Sequence, residues 1–541
     1  FEMAVRDGGA LSVMHAYTEI DGVPTVADST LLTDLLRETW GFDGTVVADY
    51  FGISFLERLH GLADSQATAA ALALEAGVDV DLPTVRCYGR PLVDAVRAGE
   101  IDERLVDRAA GRVLRQKCEL GMLDPDWEPA PEPIPEEIDL DPATSRAVAR
   151  TLAEESVVLL ANSGALPLAP TPRLALVGPL ADDPMAMVGC YSFPSHVGSR
   201  HPEQPLGVEI PSVLAALREE LPGATVDHVV GCAVTDRDLS GIPAAVEAST
   251  RADVCVVVVG DRAGLFGRGT SGEGCDADDL RLPGVQQDLV DALLATSTPV
   301  VLVVLSGRPY ALGLFADRAA AVVQAFFPGA EGGAAVAGVL SGRVCPSGRL
   351  PVSVPRTPGG QPTTYLAPKL GHRTKVSNLD PTPVFPFGHG LSYTTFRWGD
   401  LRAGGAGVDA DRRVRMPTDG CVSVSLVVEN TGDRAGTDVV QLYLHDPVAQ
   451  VTRPVVRLVG YARVALEPGE SRRVEFGFHA DLSAFTGRDL RRVVEPGDLE
   501  LRLSRSSAVP ELVVPVTLTG EERIVDHRRH LVAESTVGPA S

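Results

Sequence analysis

The sequence is short of positive charge. Its 541 residues include 48 lysines and arginines against 72 aspartates and glutamates, a formal net charge of −24. A surface of this sign repels nucleic acid and anionic membranes, so we expect neither as a partner and favour a neutral or cationic one. Long hydrophobic runs are missing as well, because no window approaches the roughly 18 apolar residues of a membrane span.

Cysteine is infrequent and without pattern. The eight cysteines are scattered, with no CxxC pair and no spacing typical of zinc ligands, so we expect no metal site. We interpret them as mostly buried thiols, which favours a reducing compartment such as the cytoplasm. The chain opens with Phe1 and shows no signal peptide, so neither targeting nor oligomeric state is readable from it.

Three blocks of different hydrophobic periodicity divide the chain, whose length exceeds what one core supports. In the first block, apolar runs predict buried parallel strands at 11–14, 45–50 and 77–82. In the second, longer runs predict a parallel sheet covered on both faces, with strands at 174–177, 254–259, 300–305 and 321–326. In the third, alternation of period two predicts an antiparallel sandwich, with strands around 422–428, 474–478 and 499–503.

Two aspartates end predicted strands of the first block. In TVVADYFG (45–52), Asp49 closes an apolar run, and Asp81 closes the next one. Catalytic groups of a closed βα barrel lie at the C-terminal ends of its strands, which makes both candidates. The alternative for either is that the carboxylate only caps the following helix. A barrel needs eight strands, and three are predicted, so we expect either no barrel or one whose front part lies outside this sequence.

Several segments together resemble family 3 of the glycoside hydrolases, and within it the bacterial β-xylosidases and β-glucosidases. They are SVMHAYTEIDGVP (12–24), GFDGTVVADYFG (41–52), ARTLAEESVVLLANSGALPL (149–168), FPGAEGG (327–333), CPSGRLPVSVP (345–355) and FPFGHGLSYT (385–394). The resemblance implies an α/β fold class: the C-terminal part of a (β/α)8 TIM-type barrel, then an α/β sandwich with a mostly parallel sheet, then a fibronectin-III-like β-sandwich. The predicted divisions are a partial barrel at 1–123, a linker at 124–142, the α/β sandwich at 143–355, a connecting segment at 356–395, the fibronectin-III-like domain at 396–520 and a frayed tail at 521–541.

Site residues follow from the resemblance position by position. The family's nucleophile matches Asp49, and its acid/base matches Glu273 in TSGEGCDADDLRLPGVQ (270–286), where Asp276, Asp278 and Asp279 compete with it. Substrate-binding positions match Met14, Tyr17 and Tyr50; without the resemblance, Met14 and Tyr17 would be interpreted as core residues. Chemistry of this kind needs no metal or organic cofactor.

The implied function is an exo-acting, retaining β-glycosidase that removes terminal β-D-xylosyl or β-D-glucosyl residues by double displacement. Its substrate would be a small oligosaccharide or an aryl glycoside. CYG (87–89) and GCYSFPSH (189–196) look more like the β-xylosidase branch, and a main activity on β-glucosides is the alternative. The family's β-N-acetylhexosaminidases usually take their acid from a barrel histidine and often lack the second domain, which argues against that branch.

One departure from the family pattern leaves a further alternative open. The family's Lys-His pair and the acidic residue that bind sugar hydroxyls precede the segment at which this sequence starts. The chain would then be a catalytically inert fragment without the front of the barrel. In that case, we expect the first block to aggregate or to be partly unfolded.

Overall fold

The computed structural model describes residues 1–129, 139–359, 364–408 and 413–540. The chain forms two compact units, residues 1–138 and 139–541. Of the predicted linker 124–142, residues 130–138 lie outside the described residues. Within the described residues, the helices are too short or too polar to cross a lipid bilayer.

The first unit surrounds a pair of short parallel strands with helices. Strand β1 pairs with β4 in register, Met14 opposite Val47. Its strands are β1 (Ser12–Met14), β2 (Glu19–Ile20), β3 (Val23–Pro24) and β4 (Thr45–Val47). Its α-helices are α1 (Glu2–Arg6), α2 (Gly52–Arg58), α3 (Gln66–Ala76), α4 (Arg90–Arg97) and α5 (Glu103–Glu119), with a π-helix at Thr30–Thr39.

The strand predicted at 77–82 is absent from this unit's described residues. A single parallel bridge, between Val47 and Val80, joins that segment to β4. The Asp79 carboxylate accepts a hydrogen bond from the Val46 amide at 2.9 Å. The Val46 amide therefore donates to a side chain and not to a backbone carbonyl of a neighbouring strand. Side-chain hydrogen bonds of this kind compete with a strand ladder, which an apolar pattern does not reveal.

The second unit begins with a six-stranded sheet in the order β5-β10-β9-β8-β6-β7. All neighbours are parallel except β5, which runs antiparallel to β10. The strands are β5 (Val158–Asn162), β6 (Arg173–Val177), β7 (Thr225–Val229), β8 (Val254–Gly260), β9 (Val300–Leu305) and β10 (Ala321–Gln324). The helices are α6 (Ala143–Ser156), α7 (Phe193–His196), α8 (Val213–Glu220), α9 (Ile242–Arg251), α10 (Gln286–Leu294) and α11 (Gly332–Ser341). Hydrophobic clusters on both faces bury the sheet, as the continuous apolar runs predicted.

A β-sandwich completes the second unit. One sheet has the order β12-β11-β14-β17-β23, the other the order β13-β21-β20-β15-β16, and β18, β19 and β22 form a small third sheet. The alternating residues of β14 and β17 are buried between the two larger sheets, in agreement with the period-two pattern. The strands are β11 (Phe396–Ala403), β12 (Ala406–Gly407), β13 (Val414–Pro417), β14 (Cys421–Asn430), β15 (Gly436–His445), β16 (Arg457–Leu466), β17 (Ser471–His479), β18 (Phe485–Thr486), β19 (Arg492–Val494), β20 (Gly497–Ser504), β21 (Leu512–Thr519), β22 (Arg523–Ile524) and β23 (Glu534–Pro539).

The prediction that the chain is frayed after residue 520 is wrong. Strand β23 (534–539) pairs antiparallel with β17, from Arg472 opposite Pro539 to Gly477 opposite Glu534. The segment ESTVGP has no apolar alternation, so its place at the edge of a sheet depends on backbone pairing that its own side chains do not announce.

Candidate functional site

Asp49 lies two residues beyond β4, on a short turn held from both sides. The Ala48 and Phe51 amides donate to the carbonyls of Val80 and Leu82, both at 2.8 Å. Phe51 has φ +66°, a left-handed conformation that is uncommon for a bulky residue and often found near functional sites. The half-buried carboxylate accepts the Tyr50 amide at 2.7 Å through Oδ1, and Oδ2 has no partner among the described residues.

A buried carboxylate, Asp79, anchors the strand that carries this turn. Its Oδ2 accepts from Arg37 Nη2 at 2.7 Å and from the Val46 amide, while its Oδ1 accepts from Arg112 Nη1 at 2.9 Å. The side chain of Asp79 is 0% exposed. The π-helix, α5 and β4 are therefore joined by one charged group beneath Asp49.

Asp81, the other candidate acid of this unit, has a structural role instead. Its Oδ2 accepts the amides of Arg86 and Cys87 at 2.8 Å and that of Tyr88 at 3.3 Å. Three backbone donors on one oxygen fix the loop before α4, but Asp81 does not cap that helix, whose N-cap is Gly89, so the capping alternative is wrong for this residue. Burial, with the charge of Asp81 next, raises the pKa of the Cys87 thiol to about 12.

The three predicted substrate-binding residues of this unit are all exposed to solvent. The exposed fractions are 54% for Met14, 38% for Tyr17 and 57% for Tyr50, so the interpretation of Met14 and Tyr17 as core residues is wrong. The Tyr17 hydroxyl donates to the Tyr50 carbonyl at 2.8 Å. This bond joins the segment after β1 to the turn that carries Asp49.

His15 packs behind the Asp49 turn. It is buried, its Nδ1 bonds to the Ala16 carbonyl at 2.9 Å, and its Nε2 has no partner among the described residues. Burial lowers the pKa of His15, against the opposing effects of the Ala16 carbonyl and of the Asp49 charge. A Cβ on Gly52 would lie 2.4 Å from His15 Cε1, so position 52 has room only for glycine.

Glu273 occupies the long loop that follows β8. Its side chain is exposed, and Oε2 accepts a hydrogen bond from the Tyr191 hydroxyl. The Phe266 amide donates to the Glu273 carbonyl at 2.8 Å, which folds the loop back on itself. Among the competing acids, Asp279 pairs with Arg281 at 2.8 Å, whereas Asp276 and Asp278 are exposed and bond to no described residue.

The contact between Tyr191 and Glu273 lies at the switch point of the parallel sheet. From β6 the chain passes first to β7 on one side and then to β8 on the other. Ligands of open α/β sheets bind outside the carboxyl ends of the strands at such a crevice. Tyr191 follows β6 and Glu273 follows β8. The sequence predicts no role for this tyrosine, although GCYSFPSH (189–196) contains it.

Two groups under the loop determine its path. Buried Asp261 accepts from the Tyr310 hydroxyl and from Thr270 Oγ1 at Oδ1, and from the Gly307 amide at Oδ2. Burial, and then Asp261, raises the pKa of Tyr310. Arg308 Nη2 donates to the carbonyls of Thr270 at 2.9 Å and Cys275 at 2.6 Å.

A cavity of about 460 Å³ adjoins the Glu273 loop within the second unit. Its lining includes His196 and Arg262 and, from the loop itself, Gly264 and Arg268. The ring of Tyr191 packs edge-on against His196, with the centroids 5.6 Å apart. The volume is that of a small-molecule pocket, and part of its wall comes from the loop that carries Glu273.

One group of potential metal ligands occurs among the described residues. Ligand atoms of His479, Asp481 and His530 lie within 4.8 Å of one another in the sandwich domain. Asp481 already accepts from the Arg523 guanidinium and, at 3.0 Å, from the His530 amide. Because the guanidinium supplies the positive charge that a cation would bring, this group fits an ion pair better than a metal site.

Comparison with known proteins is consistent along the whole chain. Residues 1–116 match the glycosyl hydrolase family 3 N terminal domain, residues 157–393 the glycosyl hydrolase family 3 C-terminal domain, and residues 438–507 a fibronectin type III-like domain. A beta-xylosidase of Formosa agariphila is 34% identical over 526 residues, which cover 95% of this chain and 70% of that protein.

Two further relatives carry a different name. A periplasmic beta-glucosidase of Salmonella typhimurium is 33% identical, and the match covers 93% of this chain and 67% of that protein. The crystal structure of a beta-glucosidase from Listeria innocua in complex with glucose superimposes with a TM-score of 0.84 at 29% identity, covering 96% of this chain and 69% of that one.

Proposed function

Because the chain belongs to glycosyl hydrolase family 3, we propose that it removes terminal β-D-xylosyl or β-D-glucosyl residues by double displacement. Relatives at similar identity are named for both sugars, the beta-xylosidase of Formosa agariphila at 34% and the periplasmic beta-glucosidase of Salmonella typhimurium at 33%. The substrate is a small oligosaccharide or an aryl glycoside. The reaction is hydrolysis of one glycosidic bond with retention at the anomeric carbon.

Asp49 is the proposed nucleophile and Glu273 the proposed acid/base. Breaking the bond requires a proton on the leaving oxygen and negative charge beneath the anomeric carbon. Asp49 attacks carbon 1 as a carboxylate and forms a glycosyl-enzyme, while Glu273 protonates the leaving oxygen. Glu273 then takes a proton from the water that releases the sugar. Asp49 is therefore ionised again and Glu273 protonated again at the end of the cycle, each as it began, which restores the enzyme.

The observation that carries this assignment is which acids near the strand ends are free; Asp276 and Asp278 are free of described partners as well, and the family resemblance selects Glu273 over them. Asp79, Asp81 and Asp261 are buried, and each accepts three hydrogen bonds. Asp49 has an open oxygen on a rigid turn after β4, and Glu273 has a single neighbour, Tyr191, at the carboxyl edge of the sheet. A substrate can reach free carboxylates at the carboxyl ends of the strands, where the active sites of such folds lie.

The preference between xylose and glucose follows from contacts with one hydroxymethyl group. A pocket distinguishes substrates that differ by so little by about 1 to 3 kcal/mol, so we expect measurable activity on both. Exposed Met14 and Tyr50, beside the Asp49 turn, are the proposed contacts. Replacing Tyr50 with tryptophan should change the ratio of kcat/KM for aryl β-xyloside over aryl β-glucoside. This change in the ratio should exceed the change in kcat/KM for the preferred sugar.

Paired substrates and paired variants test the proposal. Asp49→Asn should abolish release of nitrophenol from both aryl glycosides, because the amide cannot form the glycosyl-enzyme. Glu273→Gln should reduce kcat/KM for xylobiose on the order of 10²-fold or more but spare a dinitrophenyl xyloside, whose leaving group needs little protonation. Asp94→Asn, an exposed ion-pair residue on α4, is the control. Proton NMR should show the β-anomer of the released sugar first.

Several outcomes contradict the proposal. A folded wild-type chain that releases nothing from either aryl glycoside would favour the inert-fragment alternative over an enzyme. Equal losses on xylobiose and the dinitrophenyl substrate in Glu273→Gln would remove Glu273 from the role of acid. First appearance of the α-anomer would exclude double displacement.

A further inference from the structure

We propose that Arg308 is a positioning residue for the acid/base loop, holding the two backbone carbonyls that flank Glu273 to the end of the neighbouring strand. The inference rests on the proposed role of Glu273 and adds to it the group that sets where its carboxyl points. Arg308 itself contacts no substrate in this proposal, because its guanidinium is directed into the loop's backbone.

The contacts of Arg308 enclose Glu273 from both sides. One nitrogen, Nη2, donates to the carbonyl of Thr270, three residues before the glutamate, and to that of Cys275, two residues after it. The two distances are 2.9 and 2.6 Å, both short, as expected of hydrogen bonds from a charged donor. A single cationic group therefore closes the loop at its base and leaves the glutamate at its tip.

The segment that carries Arg308 lies directly against the loop. Strands β8 and β9 are parallel neighbours with Gly260 opposite Leu305, so the loops that follow them leave the same edge of the sheet. A Cβ on Gly307 would lie 2.1 Å from Ser271 Oγ, which shows how closely the Ser271 side chain of the loop packs against the backbone of Gly307. The Gly307 amide also donates to Asp261 at 2.9 Å.

The loop needs such a brace because glycines flank Glu273. Gly272 has φ +129° and Gly274 has φ +67°, conformations that few other residues adopt. Glycines at these positions give the backbone freedom to move the carboxyl away from a leaving group. Arginine suits the role better than lysine, because its planar fork loses less freedom for each hydrogen bond it forms.

Four variants of the full chain test the assignment. Arg308→Met removes both hydrogen bonds, and Arg308→Lys keeps the charge. Arg318→Met, at an exposed pair with Asp291 in the same domain, is the matched control. Glu273→Gln gives the pattern expected from direct loss of the acid. Each variant is measured with xylobiose and with a dinitrophenyl xyloside, and hydrogen exchange is followed in peptides that cover residues 262–276.

The expected pattern separates positioning from general damage. In Arg308→Met, kcat/KM for xylobiose should fall on the order of 10²-fold, with a loss of less than about 10-fold for the dinitrophenyl substrate, since only the proton donor is misplaced. Arg308→Lys should recover part of the loss. The amides of Phe266 and Cys275, bonded within the loop, should exchange faster in Arg308→Met, whereas exchange in β8 and β9 stays unchanged.

Each contrary result is decisive and differs from a failure of the proposed function. Unchanged exchange at residues 262–276 in Arg308→Met would overturn the inference whether or not the chain is active. Equal losses on both substrates, or a loss as large in Arg318→Met, would overturn it too. If Glu273→Gln shows no dependence on the leaving group, the proposed acid/base fails, while the exchange data still decide whether Arg308 braces the loop.

Discussion

The two proposed catalytic carboxyls are held in different ways by their own units. Asp49 follows a strand whose anchor, Asp79, is compensated by two guanidiniums and one backbone amide. Glu273 lies on a loop of which the anchor, Asp261, accepts from two hydroxyls and one amide, all of them neutral. A nucleophile that attacks one carbon needs a fixed mount, whereas an acid that later becomes a base serves two geometries. The difference teaches that the buried acid beneath the first position is compensated by charge, whereas the one beneath the second has neutral donors and the loop's cationic contact, Arg308, goes to backbone carbonyls.

Removing the charged anchor should have the largest effect. In Asp79→Ala, Arg37 and Arg112 keep buried positive charges without a partner, which costs about 3 to 5 kcal/mol of the free energy of unfolding. Pulse proteolysis over a urea series, with the fragments identified by mass spectrometry, measures this for residues 1–129. Asp94→Ala breaks an exposed pair with Arg90 and should change the value by less than about 0.5 kcal/mol. Similar losses in both variants would contradict the role of Asp79 as an anchor.

Removing the neutral anchor should cost less and affect a different property. Asp261→Asn keeps the shape but turns one acceptor into a donor that faces donors, at about 1 to 3 kcal/mol for a group left unpaired. The loss should appear in proteolysis of the second unit and, more strongly, as faster hydrogen exchange at residues 262–276. A loss of unfolding free energy as large as that of Asp79→Ala would show that charged and neutral partners make no difference between the two anchors.

A third change tests the packing behind the proposed nucleophile, Asp49. Gly52→Ala places a methyl group against the His15 ring and should destabilise the first unit by about 1 to 3 kcal/mol. In a double-mutant cycle, Gly52→Ala should cost at most half as much in the His15→Ala background as in the wild type, because the ring that the methyl group meets is gone. Additive losses would mean that the ring and the glycine do not constrain each other.

These anchors mark the limit of what the sequence predicted. The four strands predicted in the second block coincide with β6, β8, β9 and β10 to within two residues, because fully buried strands form apolar runs. In the first block the same rule failed at 77–82, where Asp79 and Asp81 use their side chains on backbone amides. The roles of Tyr191 and Arg308 had no local signal, since both depend on which strands become neighbours.

The smallest expected effect concerns one histidine in each unit. His15 in the first unit is buried and His389 in the second is half-buried, and burial lowers the pKa of each below the ordinary value of 6.5. The unfolded chain therefore takes up a proton at a higher pH than the folded chain does. Each histidine contributes stability that is present above pH 6.5 and is lost as the pH falls below it.

The two histidines differ in the hydrogen bonds of their Nε2 atoms. His389 Nε2 bonds to the Leu160 carbonyl at 2.8 Å, whereas His15 Nε2 has no partner among the described residues. In His15→Asn, stability of residues 1–129 should fall less steeply between about pH 6.5 and pH 5 than in the wild type, with the second unit unaffected. His60→Asn, at a half-buried position beyond α2, is the control. An unchanged slope in His15→Asn would mean that the ring takes up its proton at the same pH in the folded and the unfolded chain, so that burial does not lower its pKa.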